Sequence, residues 1–308
     1  MNVEQRKPRS ITSLCSLLGY SRQGLYKAQK AQERHCFEEE LIVQKVNKIR
    51  ELQPRIGGRR LHYMLAPFMQ AHQLKMGRDS LFKCLFEYGL LVRKRKRRKP
   101  VTTDSFHRYK KYKNLIKEFV PVASNQLWVG DITYITLKNG FSYLSLITDA
   151  YSRKIVGFYL SKTLAAAGSI KALKMALKSN IVEANKLIHH SDRGVQYCCT
   201  DYVTILKKKK IKISMTENGD PLENAIAERV NGILKDELLQ EVYADFGTAQ
   251  NETAKAISVY NHLRPHSSIS YKTPVEVHQS NEKVERKWRS YYAKRATPTV
   301  EIADEIYR

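Results

Sequence analysis

Three β-rich runs follow one another between Leu127 and Leu160 with only tight turns between them, and this constrains the fold more than any other feature. Leu127-Trp128-Val129-Gly130-Asp131-Ile132-Thr133-Tyr134-Ile135-Thr136 is apolar and β-branched apart from a single acid. Lys138-Asn139-Gly140 supplies a hairpin turn, and Phe141 to Thr148 is the return strand. Asp149 to Arg153 makes a second turn, and Lys154 to Leu160 is a third strand. Strands joined this tightly pair antiparallel. Beyond them the pattern alternates. Thr163 to Ser179 is helical, Lys186 to His190 a buried strand, Thr200 to Lys209 a helix and Ile211 to Met215 a strand. A last helix begins near Pro221, whose ring suits a first helical position. Helical crossovers add parallel strands. The predicted order is βββαβαβα, an α/β fold whose mixed sheet carries helices on both faces.

The chain ahead of these strands is helical and basic. Ile11 to Gln29 reads as two short helices about a turn at Gly19-Tyr20, with Ser21 as N-cap, the outline of a helix-turn-helix or of a plain helical hairpin. Phe37 to Leu52 is an amphipathic helix. Pro54 and Gly57-Gly58 break it, and further helices start near Leu61 and at Arg78 or Asp79. Arg93-Lys94-Arg95-Lys96-Arg97-Arg98-Lys99 is a run that cannot pack a core and reads as a linker or arm. The predicted division is a helical segment at 1–36, a helix-turn-helix-like unit at 37–92, a basic linker at 93–123, a catalytic core at 124–275 and a basic tail at 276–308. Over the whole chain 54 Lys and Arg face 30 Asp and Glu, a net charge of +24. Such an excess attracts polyanions, because each cation placed on a phosphate releases condensed counterions. Arg59, Arg60 and the arm residues Arg93 to Arg98 are candidates for phosphate contact. The five Cys contain no C-x-x-C pair, which argues against a zinc ribbon or a disulfide framework. No run approaches 18 apolar residues. The expected setting is the cytoplasm, away from any membrane and close to DNA.

Three acids stand out. Asp131 interrupts a strand that should be central, where an unpartnered carboxylate is costly to bury. Asp192 ends the strand of His189-His190-Ser191, expected beside the first. On the last helix Asn224, Glu228, Asn231 and Lys235 fall within about 60° of one another at 100° per residue. Ile226, Val230, Ile233 and Leu234 form the neighbouring arc that packs on the sheet. Carboxylates converging from two strands and a helix can hold two Mg²⁺ or Mn²⁺ ions for in-line displacement at phosphate. Asp149 also follows a strand, but in a turn, where a carboxylate caps the turn's own amides. His189 and His190 have no second His or Cys at ligand spacing, so strand-end packing or DNA contact is expected of them rather than zinc.

These motifs resemble a known family. D-I-T-Y-I at 131–135, H-S-D-R-G-V-Q-Y at 190–197, S-M-T at 214–216, Asn224-Ala225 with Glu228 and Lys235, and Y-N-x-x-R-P-H at 260–266 followed by Thr273-Pro274 are similar to the integrase-core transposases of bacterial insertion sequences. The similarity is greatest to the second-frame proteins of the IS-three family. It implies an RNase H-like five-stranded core, a DDE triad of Asp131, Asp192 and Glu228 holding two Mg²⁺, and DNA strand cleavage and transfer. Lys235 matches a DNA-contacting lysine, and Asn224, Asn231, Arg193, Arg264 and His266 lie in motifs expected to meet DNA. The implied partners are double-stranded DNA (the element's terminal repeats and target), a second copy of the chain, and an upstream-frame helix-turn-helix protein. Glu223 stands where the family more often has Asp, outside the triad. A DNA-binding regulator without catalysis is the alternative.

Overall fold

The computed structural model describes residues 10–93, 95, 107–217 and 224–280. Its contacts divide the chain into two compact units, Met1–Arg93 and Lys94–Arg308.

In the first unit, α1 (Ile11–Leu17) is followed by α2 (Arg22–Leu52), α3 (Gly58–Ala71) and α4 (Arg78–Glu87). The Ser21 hydroxyl accepts from the Gly24 amide and caps α2, as its sequence position predicts. The two separate helices expected at 21–29 and 37–52 are one continuous helix, and the boundary expected at 36/37 falls inside it. The reason is local: no Pro or helix-ending Gly stands between Leu25 and Leu52, so nothing stops propagation. Ile42, Val46, Ile56, Leu61, Leu65, Leu81 and Leu85 form this unit's core.

The second unit is built on a five-stranded sheet in the order β3-β2-β1-β4-β5. The strands are β1 (Leu127–Leu137), β2 (Gly140–Asp149), β3 (Ile155–Ser161), β4 (Ile188–Ser191) and β5 (Lys212–Met215). The first three pair antiparallel, while β4 runs parallel to both β1 and β5. This is the mixed sheet that the tight turns and helical crossovers predict, with the five strands of the RNase H-like core that the family resemblance implies. Gly140 closes the first hairpin with φ +113°, a conformation that L side chains resist.

Helices cover both faces, each with its own core. On one side α5 (Ala166–Ser179), the short α6 (Val195–Cys198) and α7 (Thr200–Lys208) pack on Trp128, Ile147 and Val156. On the other, α8 (Ala225–Ile233), a π turn at Leu234–Leu238 and α9 (Phe246–His262) pack on Ile135, Leu144 and Leu146. The last helix among the described residues is α10 (Pro274–Gln279). Helices α6, α9 and α10 and the π turn are absent from the sequence-based order. β3 approaches α5 so closely that a Cβ on Gly157 would lie 2.3 Å from the Ala172 carbonyl oxygen. Among the described residues, no helix is long and apolar enough to cross a membrane.

Candidate active site

Side chains alternate along a strand, so Asp131 shares a face with Val129 and Ile135, the face covered by α8. Its neighbour β4 delivers Asp192 just past its last residue, Ser191. The two carboxylates line one pocket of about 30 Å³, together with Ile132, Tyr134, Leu164, Gly194, Gln196 and Tyr197. That volume admits water-sized groups and small ions.

Each acid is held by its surroundings. Asp131 Oδ1 accepts from the Ile132 amide at 2.9 Å, and Oδ2 accepts from Asn231 Nδ2 at 2.6 Å. Asp192 Oδ1 accepts from the Gly194 amide at 3.0 Å. Protein surrounds Asp131 on every side except the pocket. This desolvation, and then the negative charge of Asp192, push its carboxyl up to about 7, against the two hydrogen bonds that pull it down; Glu228 adds a smaller push. The pocket thus concentrates more negative charge than its own donors balance.

Glu228 lies in the first turn of α8 and is exposed, within electrostatic reach of Asp131 but outside the pocket lining. Among the described residues, no three His, Cys, Asp or Glu side chains stand close enough to hold one ion between them. The structure therefore brings Asp131 and Asp192 together and leaves Glu228 at the rim. Carboxylate oxygens suit a hard divalent cation, and the raised Asp131 is a carboxylate whose charge such a cation would neutralise. The donor set of Asp131 and Asp192 fits.

The helix stripe serves a different purpose from the one expected. Asn224 and Asn231 are buried, and their amides face inward. Asn231 Nδ2 goes to Asp131, and Asn224 Nδ2 goes to the Gly130 carbonyl at 3.2 Å. Expected from sequence to contact DNA, they here tie α8 to β1. Lys235 lies half-buried in the π turn.

Arg264 and His266, also expected from sequence to meet DNA, face inward. Arg264 is 0% exposed and forms a forked ion pair with Glu237, while His266 is buried against it. Neither offers a surface to a phosphate. Arg95 also leaves its expected role. It donates to the carbonyls of Lys235 and Leu239 and pairs with Glu241 at 2.9 Å, so its guanidinium is engaged within the protein. Arg59 and Arg93 are exposed, and Arg60 and Arg193 are half-buried. Lys94, Lys96, Arg97 and Arg98 lie outside the described residues.

Asp149, His189 and His190 behave as their sequence settings predict. Asp149 is fully buried and accepts from the Ser152 amide and hydroxyl and from the Asn125 amide. It stabilises a turn. His189 bonds Tyr202 Oη at 2.9 Å, and burial followed by the nearby His190 depresses it to about 3, so it is a neutral packing residue. His190 bonds the Ser214 hydroxyl at 2.8 Å. Gln196 and Tyr197 line the pocket although sequence reading gave them no role. The signal that points to them is their place at the end of H-S-D-R-G-V-Q-Y, four and five residues past Asp192.

Known proteins resemble this chain over most of its length. Two models described as integrase core domain match residues 121–221 and 209–274. A 31 kDa protein of insertion element IS600 from Shigella sonnei is 36% identical over 85% of this chain and 96% of its own length. A putative transposase of IS986/IS6110 from Mycobacterium tuberculosis is 31% identical over 59% of this chain and 64% of its own. Transposase InsF of IS3A from Escherichia coli K12 is 28% identical over 75% and 80%. Among solved structures, the catalytic core of HTLV-2 integrase in complex with magnesium covers 51% of this chain and 97% of its own at 21% identity, with a TM-score of 0.41. The matched family models and the 36% identical relative define an integrase-core polynucleotidyl transferase. Within that class, the chain belongs to the insertion-sequence transposases of the IS-three type.

Proposed function

We propose that this chain cuts and rejoins DNA by metal-assisted in-line displacement at phosphate, with Asp131 and Asp192 as the main metal ligands and Glu228 completing the site. The observation that carries the proposal is the shared pocket of two acids from adjacent strand ends, one of them pushed up to about 7 by burial and by the other. Divalent cations bound there, two in the full reading, would neutralise charge on the phosphate and favour deprotonation of the attacking hydroxyl. The protein's own residues do the rest. The Ile132 amide and Asn231 fix Asp131 so that its carboxylate enters the reaction already oriented. The Gly194 amide does the same for Asp192. Glu228, on the exposed end of α8, closes on the pocket from the rim when metal and DNA are present.

The chemistry is two displacements. A water oxygen attacks phosphorus at the element's end, the P–O bond to the leaving strand breaks, and a 3′-hydroxyl is freed. That hydroxyl then attacks a target phosphate, and as the new P–O bond forms the bond to the target strand's 3′ oxygen breaks, leaving a 3′-hydroxyl on the target. Two ends must be held together for coupled transfer, so the working form is at least a dimer on DNA. Lys235, Arg193, Arg59, Arg60 and the basic arm apart from Arg95 supply phosphate contacts. An upstream-frame helix-turn-helix protein is a further partner in this reading.

The test uses oligonucleotides carrying the inverted repeats that flank the gene, with Mg²⁺. Wild type is expected to nick and transfer strands, whereas Asp192→Asn and Glu228→Gln bind the same DNA without joining it. Retained strand transfer by either variant would sink the assignment. Tight end binding by wild type without any metal-dependent nicking would favour a regulator instead.

A further inference from the structure

The Arg264-Pro265-His266 motif takes no part in the carboxylate pocket, yet it is among the most constrained places in the protein. Arg264 turns inward after α9. Its Nε and Nη2 donate to the two carboxylate oxygens of Glu237 at 2.9 Å each, and its Nη1 lies 3.0 Å from His266 Nε2. The His266 ring meets Tyr260 edge-on at 4.8 Å. With Arg264 0% exposed, this is a forked, desolvated pair whose geometry a lysine could not reproduce.

What the fork grips is the π turn. Glu237 belongs to Leu234–Leu238, which continues directly from α8, the helix carrying Glu228 and Asn231. The Leu239 amide bonds the Leu234 carbonyl at 2.8 Å, five residues back. Such a turn is rare and winds less favourably than an α-helix, so contacts outside the helix have to hold it. Two groups of contacts do so here. Leu234 and Leu239 are both buried in one core, although α winding would set them about 140° apart. Around the turn, Arg264 grips Glu237 while Arg95 holds the carbonyls of Lys235 and Leu239.

We propose that Arg264 is a positioning residue for strand transfer: its fork on Glu237 maintains the π turn and so sets the rotation at which α8 presents Glu228 to the Asp131–Asp192 pocket. The proposal rests on the metal-assisted reading given above. Without the fork the turn relaxes toward α winding. A slip of one residue rotates the helix by about 100° relative to the chain that follows it. Glu228 then loses its setting at the rim, and the Asn231 bond to Asp131 is disturbed.

The test compares wild type with Arg264→Lys, which keeps the charge and loses the fork, and with Glu237→Gln, which keeps the shape. Hydrogen exchange on the metal-free full chain is the first measurement. In both variants, amides of 234–239 are expected to exchange about tenfold faster, with the effect spreading to 225–233 and leaving β2 at its wild-type rate. A change confined to 260–266, or one spread evenly over the second unit, overturns the proposal. The second measurement is strand transfer at 20 °C, where both variants are checked to be folded. The expected result is a kcat about 10- to 100-fold lower, a KM for end DNA within about twofold of wild type, and a higher Mg²⁺ requirement. Wild-type kcat in Arg264→Lys overturns the proposal as well. If wild type itself transfers no strands, the functional reading fails alone, and hydrogen exchange still decides the clamp.

Discussion

Asn231 Nδ2 donates to Asp131 Oδ2 at 2.6 Å, a single bond that fastens the helix carrying one acid to the strand carrying another. The two residues are 100 positions apart, and each is placed by a different element. The bond opposes the burial and repulsion that raise the Asp131 carboxyl.

Removing that bond is expected to impair chemistry more than folding. Asn231→Ala leaves Asp131 with the Ile132 amide alone, raising its proton affinity further and moving the acid limb of the strand-transfer pH profile upward. A lost hydrogen bond to a charged group corresponds to about 1.5–3 kcal/mol. The check is a pH–rate profile in Mg²⁺, and an acid limb identical to wild type counts against the assigned role.

The raised Asp131 carboxyl also makes a stability prediction. Between its ordinary value of 3.8 and about 7, the folded chain holds a proton that the unfolded chain has released. Stability of the metal-free protein therefore falls as pH rises through that window, and the deficit is complete above it. Asp131→Asn removes the deficit, which is on the order of one to a few kcal/mol once the open side of the pocket is allowed for. Thermal melts in chelator should show the variant melting above wild type at pH 8 and level with it at pH 4. Equal midpoints at pH 8 would contradict this. The same variant is expected to transfer no strands.

Asp149 should behave as the opposite kind of acid. Asp149→Ala strands the Asn125 and Ser152 amides, each costing about 1–3 kcal/mol, while the Ser152 hydroxyl keeps its bond to His278. The folded fraction should still join DNA at the wild-type rate. A folded Asp149→Ala protein that transfers no strands would move this residue into the reaction.

Gly157→Ala tests the contact between β3 and α5. Its Cβ would meet the Ala172 carbonyl at 2.3 Å and the Ala176 Cβ at 2.8 Å, so backbone must shift. Overpacking of this kind costs about 1–3 kcal/mol or more. Urea denaturation measures it, and an unchanged midpoint would show that the helix can lift off freely.

Much of the core was legible in the chain. The tight turns at Lys138-Asn139-Gly140 and Asp149 to Arg153 dictated antiparallel pairing, and the helical crossovers dictated the parallel strands β4 and β5. Asp131 was conspicuous because an acid in a strand of Trp, Val, Ile and Tyr needs a reason to be there. Asp149 could be set aside because turn chemistry is local. Arg264 and Arg95 could not be read this way. On sequence they are two more cations among 54, and only their distant partners, Glu237 and the carbonyls of Lys235 and Leu239, turn them from surface charges into braces.

The sequence by itself thus determined the strand order, the face of β1 that carries Asp131, and the side of α8 that carries Glu228, because side-chain period and turn length are local properties. Tertiary structure alone decided that Asn231 serves Asp131, that the R-P-H motif points inward, and that a π turn follows the helix of Glu228. Those outcomes depend on which distant groups fill the same buried space, where a charge without a partner is too costly to remain.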